Sequence, residues 1–391
     1  MNLFKMTDEA LKQLGAMITV REIEQQPTLW QQALENYLVS KPRIASFLEQ
    51  ITQKHEKIRL ILTGAGTSAY IGDTVIPYLK GKMNEQIWEL MSVPTTHIVS
   101  NPHQYLNADI PTLMISFARS GNSPESLSAT ALGKRMIKDF YQLTITCAKN
   151  GKLAQQATGD VRNLLLLMPE AANDKGFAMT SSYTCMSLTT LLIFDSLLDG
   201  EKQQVVADVI AMGRDVIKRE KEIQEMINKD FNRIVYVGSG SFSGMAREAS
   251  LKILELTAGK VATLFDSSLG LRHGPKSFID KKTLFFTFTS NQSYTRQYDL
   301  DILNEVFADQ IATHVCSLTT QRDENFDGDQ FIFDKKFNRV PDGYLVLPYV
   351  MVAQIISVLA ALKVRNTPDT PSPTGTVNRV VQGVKIHTYE S

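Results

Sequence analysis

Short apolar runs recur along this chain, and each is followed by a stretch whose apolar positions fall three and four residues apart. Ile58 to Thr63, Leu113 to Phe117, Tyr141 to Thr146 and Leu164 to Met168 form one series, and Arg233 to Val237, Ala262 to Phe265, Leu284 to Thr289 and Ala312 to Ser317 form a second. Runs of this length predict buried strands, and their alternation with helical patterns predicts parallel sheets, whose crossover helices cover both faces. Leu11, Leu14, Met17 and Ile18, then Trp30, Leu34, Tyr37 and Leu38, predict a helical opening segment. A charged helical stretch from Glu201 to Asp230 bridges the two series, and a long apolar helix follows from Leu345 to Lys363. The expected fold is α/β: two tandem domains, each a parallel sheet between layers of helices (α/β/α), behind a helical segment. Its expected divisions are the segment at 1–50, a first domain at 51–200, a linker helix at 201–230, a second domain at 231–365 and a tail at 366–391.

One fold is written twice. Gly64-Ala65-Gly66-Thr67-Ser68 follows the first strand of one series, and Gly238-Ser239-Gly240-Ser241 follows the first strand of the other. The turns lie about 174 residues apart, and Leu113 to Phe117 precedes Leu284 to Phe288 by about 171, as tandem homologous domains require. Each turn joins a strand to a helix start, where unpaired backbone N–H groups and small hydroxyls gather at the positive end of the helix dipole. Such a place suits a phosphate. Further on, Arg119-Ser120-Gly121-Asn122-Ser123 adds hydroxyls and an amide just ahead of Pro124, a residue suited to a first helical turn. The matching stretch Thr289-Ser290-Asn291-Gln292-Ser293-Tyr294 lacks that Ser-Gly-Asn-Ser core, so the first half is the better phosphate cradle.

Nucleotides fit these turns less well. Neither turn has the Lys followed by Ser or Thr of a P-loop, and the third glycine of the dinucleotide fingerprint is missing after Gly66. A small sugar phosphate is the expected ligand. The chain has 391 residues with 43% hydrophobic content, enough to bury two cores, and its 41 basic and 41 acidic residues leave no field that would favour nucleic acid or an anionic membrane. Cys147, Cys185 and Cys316 form no paired spacing, and the chain shows neither a signal-peptide pattern nor an apolar run of spanning length, so a reduced cytoplasm is expected. His55, His97, His103, His314 and His387 show no ligand-like spacing with carboxylates or thiols. No metal and no cofactor is expected, and proton transfer must rest on side chains.

Glu248, Lys252 and Glu255 stand four and three residues apart, on one face of a helix that begins near Phe242. A solvated salt-bridge ladder is the ordinary meaning of such a stripe. Here Leu251, Ile253, Leu254 and Leu256 leave little outer surface for it, so some of the charges should face a cleft. A carboxylate beside an ammonium and partly desolvated can be tuned to shuttle a proton, and Glu255 is the best candidate base. Downstream, Leu269-Gly270-Leu271-Arg272-His273-Gly274-Pro275-Lys276 holds a histidine in a loop absent from the first half. An isolated histidine usually serves structure, yet one on an inserted loop suits a task the duplicate lacks, such as opening a sugar ring. The three prolines between Pro368 and Pro373 stop the last helix, and Val377, Val380, Val381 and Val384 after them suggest a tail that returns to the body rather than a solvated linker.

Gly64 to Ser68, Ser120 to Ser126, Glu248 to Glu255 and Arg272-His273-Gly274-Pro275 together resemble the sugar isomerase (SIS) domain family, over nearly everything after residue 50. Gly176-Phe177-Ala178-Met179-Thr180-Ser181-Ser182 and the tail from Asn366 to Val384 are similar to its AgaS group, tandem-SIS proteins described as tagatose-6-phosphate ketose/aldose isomerases or amino-sugar-phosphate deaminases. The resemblance, extended to the isomerase half of glucosamine-6-phosphate synthase, implies roles. Ser68, Ser120 and Ser123, helped by Thr67, Arg119, Gly121 and Asn122, would hold the phosphate. Glu255 would move a proton between C1 and C2 with Lys252 and Glu248 as charged neighbours, and His273 would open the ring. Gly66, Thr180, Ser181, Arg272 and Gln382 would line the sugar, Gln382 standing where that family has a lysine. In the family the histidine loop reaches into the partner subunit's site, which implies at least a homodimer.

Unlike the synthase, the sequence starts Met1-Asn2-Leu3 with a helical leader, so no glutaminase domain to supply ammonia is expected. The implied net direction is therefore release: an amino-hexose 6-phosphate, galactosamine 6-phosphate or its gluco epimer, becomes a ketohexose 6-phosphate and ammonia. Isomerisation of tagatose 6-phosphate without nitrogen loss is the alternative. A sugar-phosphate-sensing regulator is a third reading, against which the retained Glu255 and His273 argue, since a sensor needs no base.

Overall fold

A computed structural model describes residues 2–381 and 383–389. Among these residues ten strands form two parallel sheets. β1 (Ile58–Thr63), β2 (Trp88–Ser92), β3 (Thr112–Ala118), β4 (Phe140–Thr146) and β5 (Asn163–Leu167) lie in the order β2-β1-β3-β4-β5. β6 (Arg233–Gly238), β7 (Ala262–Asp266), β8 (Thr283–Phe288), β9 (His314–Thr319) and β10 (Asp329–Ile332) lie in the order β10-β9-β8-β6-β7, which is the same topology again. Even the register repeats: Arg59 stands opposite Thr112 and Arg233 opposite Thr283.

In each sheet the second strand is added on one side of the first and the third strand on the other. The winding therefore reverses between β1 and β3, and between β6 and β8. In open α/β sheets ligands bind at the carboxyl ends of the strands beside such a reversal. Both glycine turns and the loops after β3 and β8 are at these ends.

The chain divides into two compact units. One comprises Gln32–Asp174, Ser181–Ser196 and Thr374–Ser391 and carries β1 to β5; the other comprises Met1–Gln31, Lys175–Thr180 and Leu197–Pro373 and carries β6 to β10. The predicted opening segment is observed as helices Asp8–Gln13, Met17–Glu24 and Gln26–Lys54, and the charged bridge as helices Asp199–Lys218 and Glu220–Ile227.

Edge strands β2 and β10 escaped the sequence pattern because they are only partly covered. β2 is intermediate in burial at every position, and β10 begins with the exposed Asp329, so neither needs an unbroken apolar run. The expectation of no apolar run of spanning length needs correction. Helix Asp342–Lys363 has 22 residues and a mean hydropathy of 2.3, long and apolar enough to cross a membrane, but 94% of that window is buried within the protein. It is a core helix of the β6–β10 unit.

The Pro-rich tail does return to the body. In the β6–β10 unit the Asp369 carboxylate accepts from the backbone N–H groups of Ile18 (3.0 Å) and Thr19 (2.8 Å), so it caps helix Met17–Glu24 from 350 residues away in sequence. Asn366 Nδ2 donates to the carbonyls of Leu256 (2.7 Å) and Pro371 (3.0 Å), which ties the same tail to the end of helix Ser241–Leu256.

Candidate active site

The β1–β5 unit carries the expected cradle residues on two strand-end loops. Gly66 takes φ 57° and ψ −131°, a region essentially reserved for glycine, and from it helix Thr67–Lys80 starts. Gly64 is glycine for a different reason: a Cβ there would lie 2.6 Å from the Ser68 backbone and side chain. The turn thus brings Thr67 and Ser68 into the first helical turn at the end of β1. Beside it, after β3, Gly121 takes φ 66° and passes its carbonyl to the N–H of Leu153 (3.1 Å), while Asn122 Oδ1 accepts from the N–H of Lys152 (3.0 Å). Ser120 Oγ accepts from the N–H of Asn122 (3.3 Å). Ser123 stands at the N-cap of helix Pro124–Met136 without capping it through its hydroxyl. That hydroxyl is available to a ligand at a positive helix end.

Arg119 is nearly buried, and its guanidinium donates to the carbonyl of Arg379 in the tail (2.7 Å). Arg379 in turn donates through Nε to the carbonyl of Asp174 (2.9 Å). The Asp174 carboxylate accepts from the N–H groups of Ser181 (3.1 Å) and Ser182 (2.8 Å) and so caps helix Ser181–Phe194. Ser181 therefore contributes its backbone to a helix start. Its neighbour Thr180 is buried in the β6–β10 unit, on a loop whose Lys175 and Gly176 N–H groups donate to Glu22 (2.5 and 3.2 Å). Gln382 lies outside the described residues.

The β6–β10 unit repeats the turn: Gly240 takes φ 57° and ψ −124°, and a Cβ on Gly238 would meet Phe242 at 2.5 Å. Helix Ser241–Leu256, which starts there, brings Glu248, Lys252 and Glu255 together, as their spacing predicts. The Lys252 ammonium lies 3.3 Å from Glu248 and is hydrogen-bonded to Glu255. Lys252 and Glu248 have no side-chain exposure and Glu255 has 22%, so this is no solvated ladder. Burial opposes the ammonium, but the two carboxylates outweigh it, and Lys252 titrates above the ordinary lysine value. Lys252 thus stands between two carboxyl groups, the more exposed arm being that of Glu255. Such an arm can accept a proton and return it.

His273 is exposed, on the loop after β7, next to a Gly274 at φ 118°. Arg272, expected to line the sugar, donates through Nε to Glu305 (2.7 Å).

Over 382 residues, covering 97% of this chain and 94% of the relative, the sequence is 40% identical to the D-galactosamine-6-phosphate deaminase AgaS of Shewanella sp. (strain ANA-3). The chain belongs to the AgaS family. Its fold superposes on the crystal structure of tagatose-6-phosphate ketose/aldose isomerase from Escherichia coli with a TM-score of 0.85, at 38% identity, covering 95% of this chain and 97% of that one. The C-terminal domain of glucosamine-fructose-6-phosphate aminotransferase from Francisella tularensis shares the fold at 19% identity, with a TM-score of 0.72 over 91% of this chain and 98% of that one. The two sheets are accordingly tandem SIS domains. No protein-family model matches the chain.

In this AgaS-family chain the sequence reading missed Asp174 and Arg379, which tie the loop of Arg119 to the tail, and Glu305, which takes Arg272. Arg379 and Glu305 act through partners 29 to 260 residues away, whereas the Asp174 carboxylate caps a helix seven and eight residues on. The tail match to the AgaS group, which includes Arg379, was the one available signal.

Proposed function

We propose that this protein is a deaminase/isomerase that converts galactosamine 6-phosphate, or its gluco epimer, to a ketohexose 6-phosphate and ammonia. The buried Glu248–Lys252–Glu255 triad is the observation that carries the reading, because it supplies a held carboxylate for proton transfer. The identity with a galactosamine-6-phosphate deaminase supports the substrate. Phosphate anchoring is assigned to Thr67, Ser68, Ser120, Gly121, Asn122 and Ser123, with Arg119 as their cationic neighbour. His273 opens the ring to the aldehyde. Glu255 then takes the C2 proton, and the enolamine that forms is protonated at C1 to leave an imine at C2. Water adds to that carbon, ammonia departs, and the carbonyl remains at C2 of the ketose. Gly66, Thr180, Ser181, Arg272 and Gln382 are assigned to the sugar's surroundings, the last in place of the synthase lysine.

Residues 51–200 and 231–365 are proposed as the two SIS domains. Leu254 (44%), Phe265 (40%) and Leu269 (49%) are large apolar side chains left exposed on the helix, strand and loop that precede His273, and they support a homodimer at least. Three free, buried cysteines suit a cytoplasmic enzyme.

The deciding assay follows ammonia and ketose together from galactosamine 6-phosphate, glucosamine 6-phosphate and tagatose 6-phosphate. Ketose formed with equimolar ammonia is expected. The isomerase name of the Escherichia coli structure favours the second reading, and aldose from tagatose 6-phosphate with no ammonia from either amino sugar would establish it. Replacing Ser120 or Ser123 singly by Ala is expected to raise KM by about tenfold or more, since a hydrogen bond to a charged acceptor contributes about 1.5–3 kcal/mol. An unchanged KM would move the phosphate elsewhere.

A further inference from the structure

The winding reversal of the β6–β10 sheet is already occupied by the chain itself. Asp299, from helix Ser293–Ala308, brings its fully buried carboxyl group to the ends of β6 and β8. There it accepts from Ser239 Oγ of the β6 turn (2.6 Å), from the N–H of Ser290 after β8 (2.9 Å) and from Ser268 Oγ (2.5 Å). Asp342 takes the next two donors, Ser290 Oγ (2.5 Å) and the N–H of Asn291 (2.9 Å). At the equivalent place in the β1–β5 sheet those positions hold the proposed phosphate cradle. The second cradle is thus filled from inside, and one of its donors, Ser268, is not a cradle residue at all. It sits five residues before His273, at the root of the histidine loop.

The far side of that loop is fastened to the same helix. Glu305 accepts from Arg272 Nε (2.7 Å) and from Lys276 Nζ (2.5 Å), and Lys276 also pairs with Asp309 (2.6 Å). Residues on both sides of His273-Gly274-Pro275 are therefore held by carboxyl groups of one helix and its final turn. The cations beside Glu305 hold its carboxyl below the usual glutamate range, and the pairing raises Lys276 against the effect of burial. His273 itself is exposed. Its position is inherited from its neighbours.

We propose that Glu305, with Asp299 anchoring the loop root, is a positioning residue for His273: helix Ser293–Ala308 sets where the imidazole stands, and the second cradle serves as that anchor instead of binding a ligand. The inference rests on the reading of His273 as the ring-opening histidine. Its test measures ammonia release from galactosamine 6-phosphate by the full chain as wild type, Glu305→Gln, Glu305→Asp and His273→Ala, across pH. Glu305→Gln is expected to lower kcat about tenfold with KM changed by less than about twofold, and to displace the acidic limb of the pH profile. Glu305→Asp keeps the charge and is expected to recover most of the rate. Because the ion pairs are about one-third exposed, the melting midpoint should hardly move. A Glu305→Gln enzyme with wild-type kcat and pH profile, alongside a crippled His273→Ala enzyme, overturns the positioning role. Wild-type turnover by His273→Ala overturns the underlying reading instead.

Discussion

Glu255→Gln is expected to lower turnover of the amino-sugar phosphate about a hundredfold or more, with KM close to that of wild type, as removal of a general base does. Glutamine preserves the shape and can still accept from the Lys252 ammonium, so the helix and its buried partners stay as they are. What it cannot do is take up the C2 proton. The prediction is therefore narrow: the loss falls on kcat, the melting midpoint stays near wild type, and exchange of the C2 hydrogen with deuterated water disappears along with ammonia release. Steady-state kinetics and an exchange experiment on one substrate check all three. Near-wild-type turnover would remove Glu255 from the base position.

Lys252→Met is expected to damage the fold before the chemistry. It withdraws the cation 3.3 Å from Glu248, a carboxylate with no exposure, and leaves that charge inside the unit. Breaking a buried pair from one side costs about 3–5 kcal/mol, against almost nothing for most exposed pairs. Denaturant unfolding would read this loss directly. Adding Glu248→Leu to Lys252→Met should recover much of it, because well-packed apolar side chains replace a buried ion pair at little net cost. Turnover should stay low in the double variant, since Glu255 has lost the partner that holds it. The sign with pH follows from the raised titration of Lys252. Its contribution is complete below the ordinary lysine value of 10.5 and disappears as pH rises through the higher folded value, so the wild type should lose this stabilisation only in strong alkali. A Lys252→Met protein as stable as wild type would mean that the triad is not the buried unit described.

How much of this was legible from the sequence depended on distance along the chain. Strands β3 and β8 are buried at every position and announced themselves as apolar runs interrupted only by Ser116 and Thr287. Edge strands β2 and β10 need no such run and were silent. The spacing of Glu248, Lys252 and Glu255 fixed a common face, and the leucines and isoleucine around them pointed to desolvation, because helix geometry is local. The matching stretch after β8 could be seen to lack Ser-Gly-Asn-Ser, but not that Asp299 fills the gap, since its three donors come from positions 9 to 60 residues distant. Arg379 and Glu305 were hidden for the same reason. Arg272 was legible by its place in a motif, but its partner Glu305, 33 residues on, was not.

The cap that Asp369 places on helix Met17–Glu24 bears on how the protein is made. During synthesis the amino-terminal residues leave the ribosome first, yet the acceptor for the Ile18 and Thr19 amides is translated some 350 residues later. Meanwhile residues 32–174 and 181–196, most of one compact unit, emerge without interruption from the other beyond a six-residue loop. Domains tend to fold as units in order of emergence. Nascent chains stalled before residue 366 should therefore protect the β1–β5 region from proteolysis while the opening helices stay cleavable, and these should become resistant only once the last stretch is released.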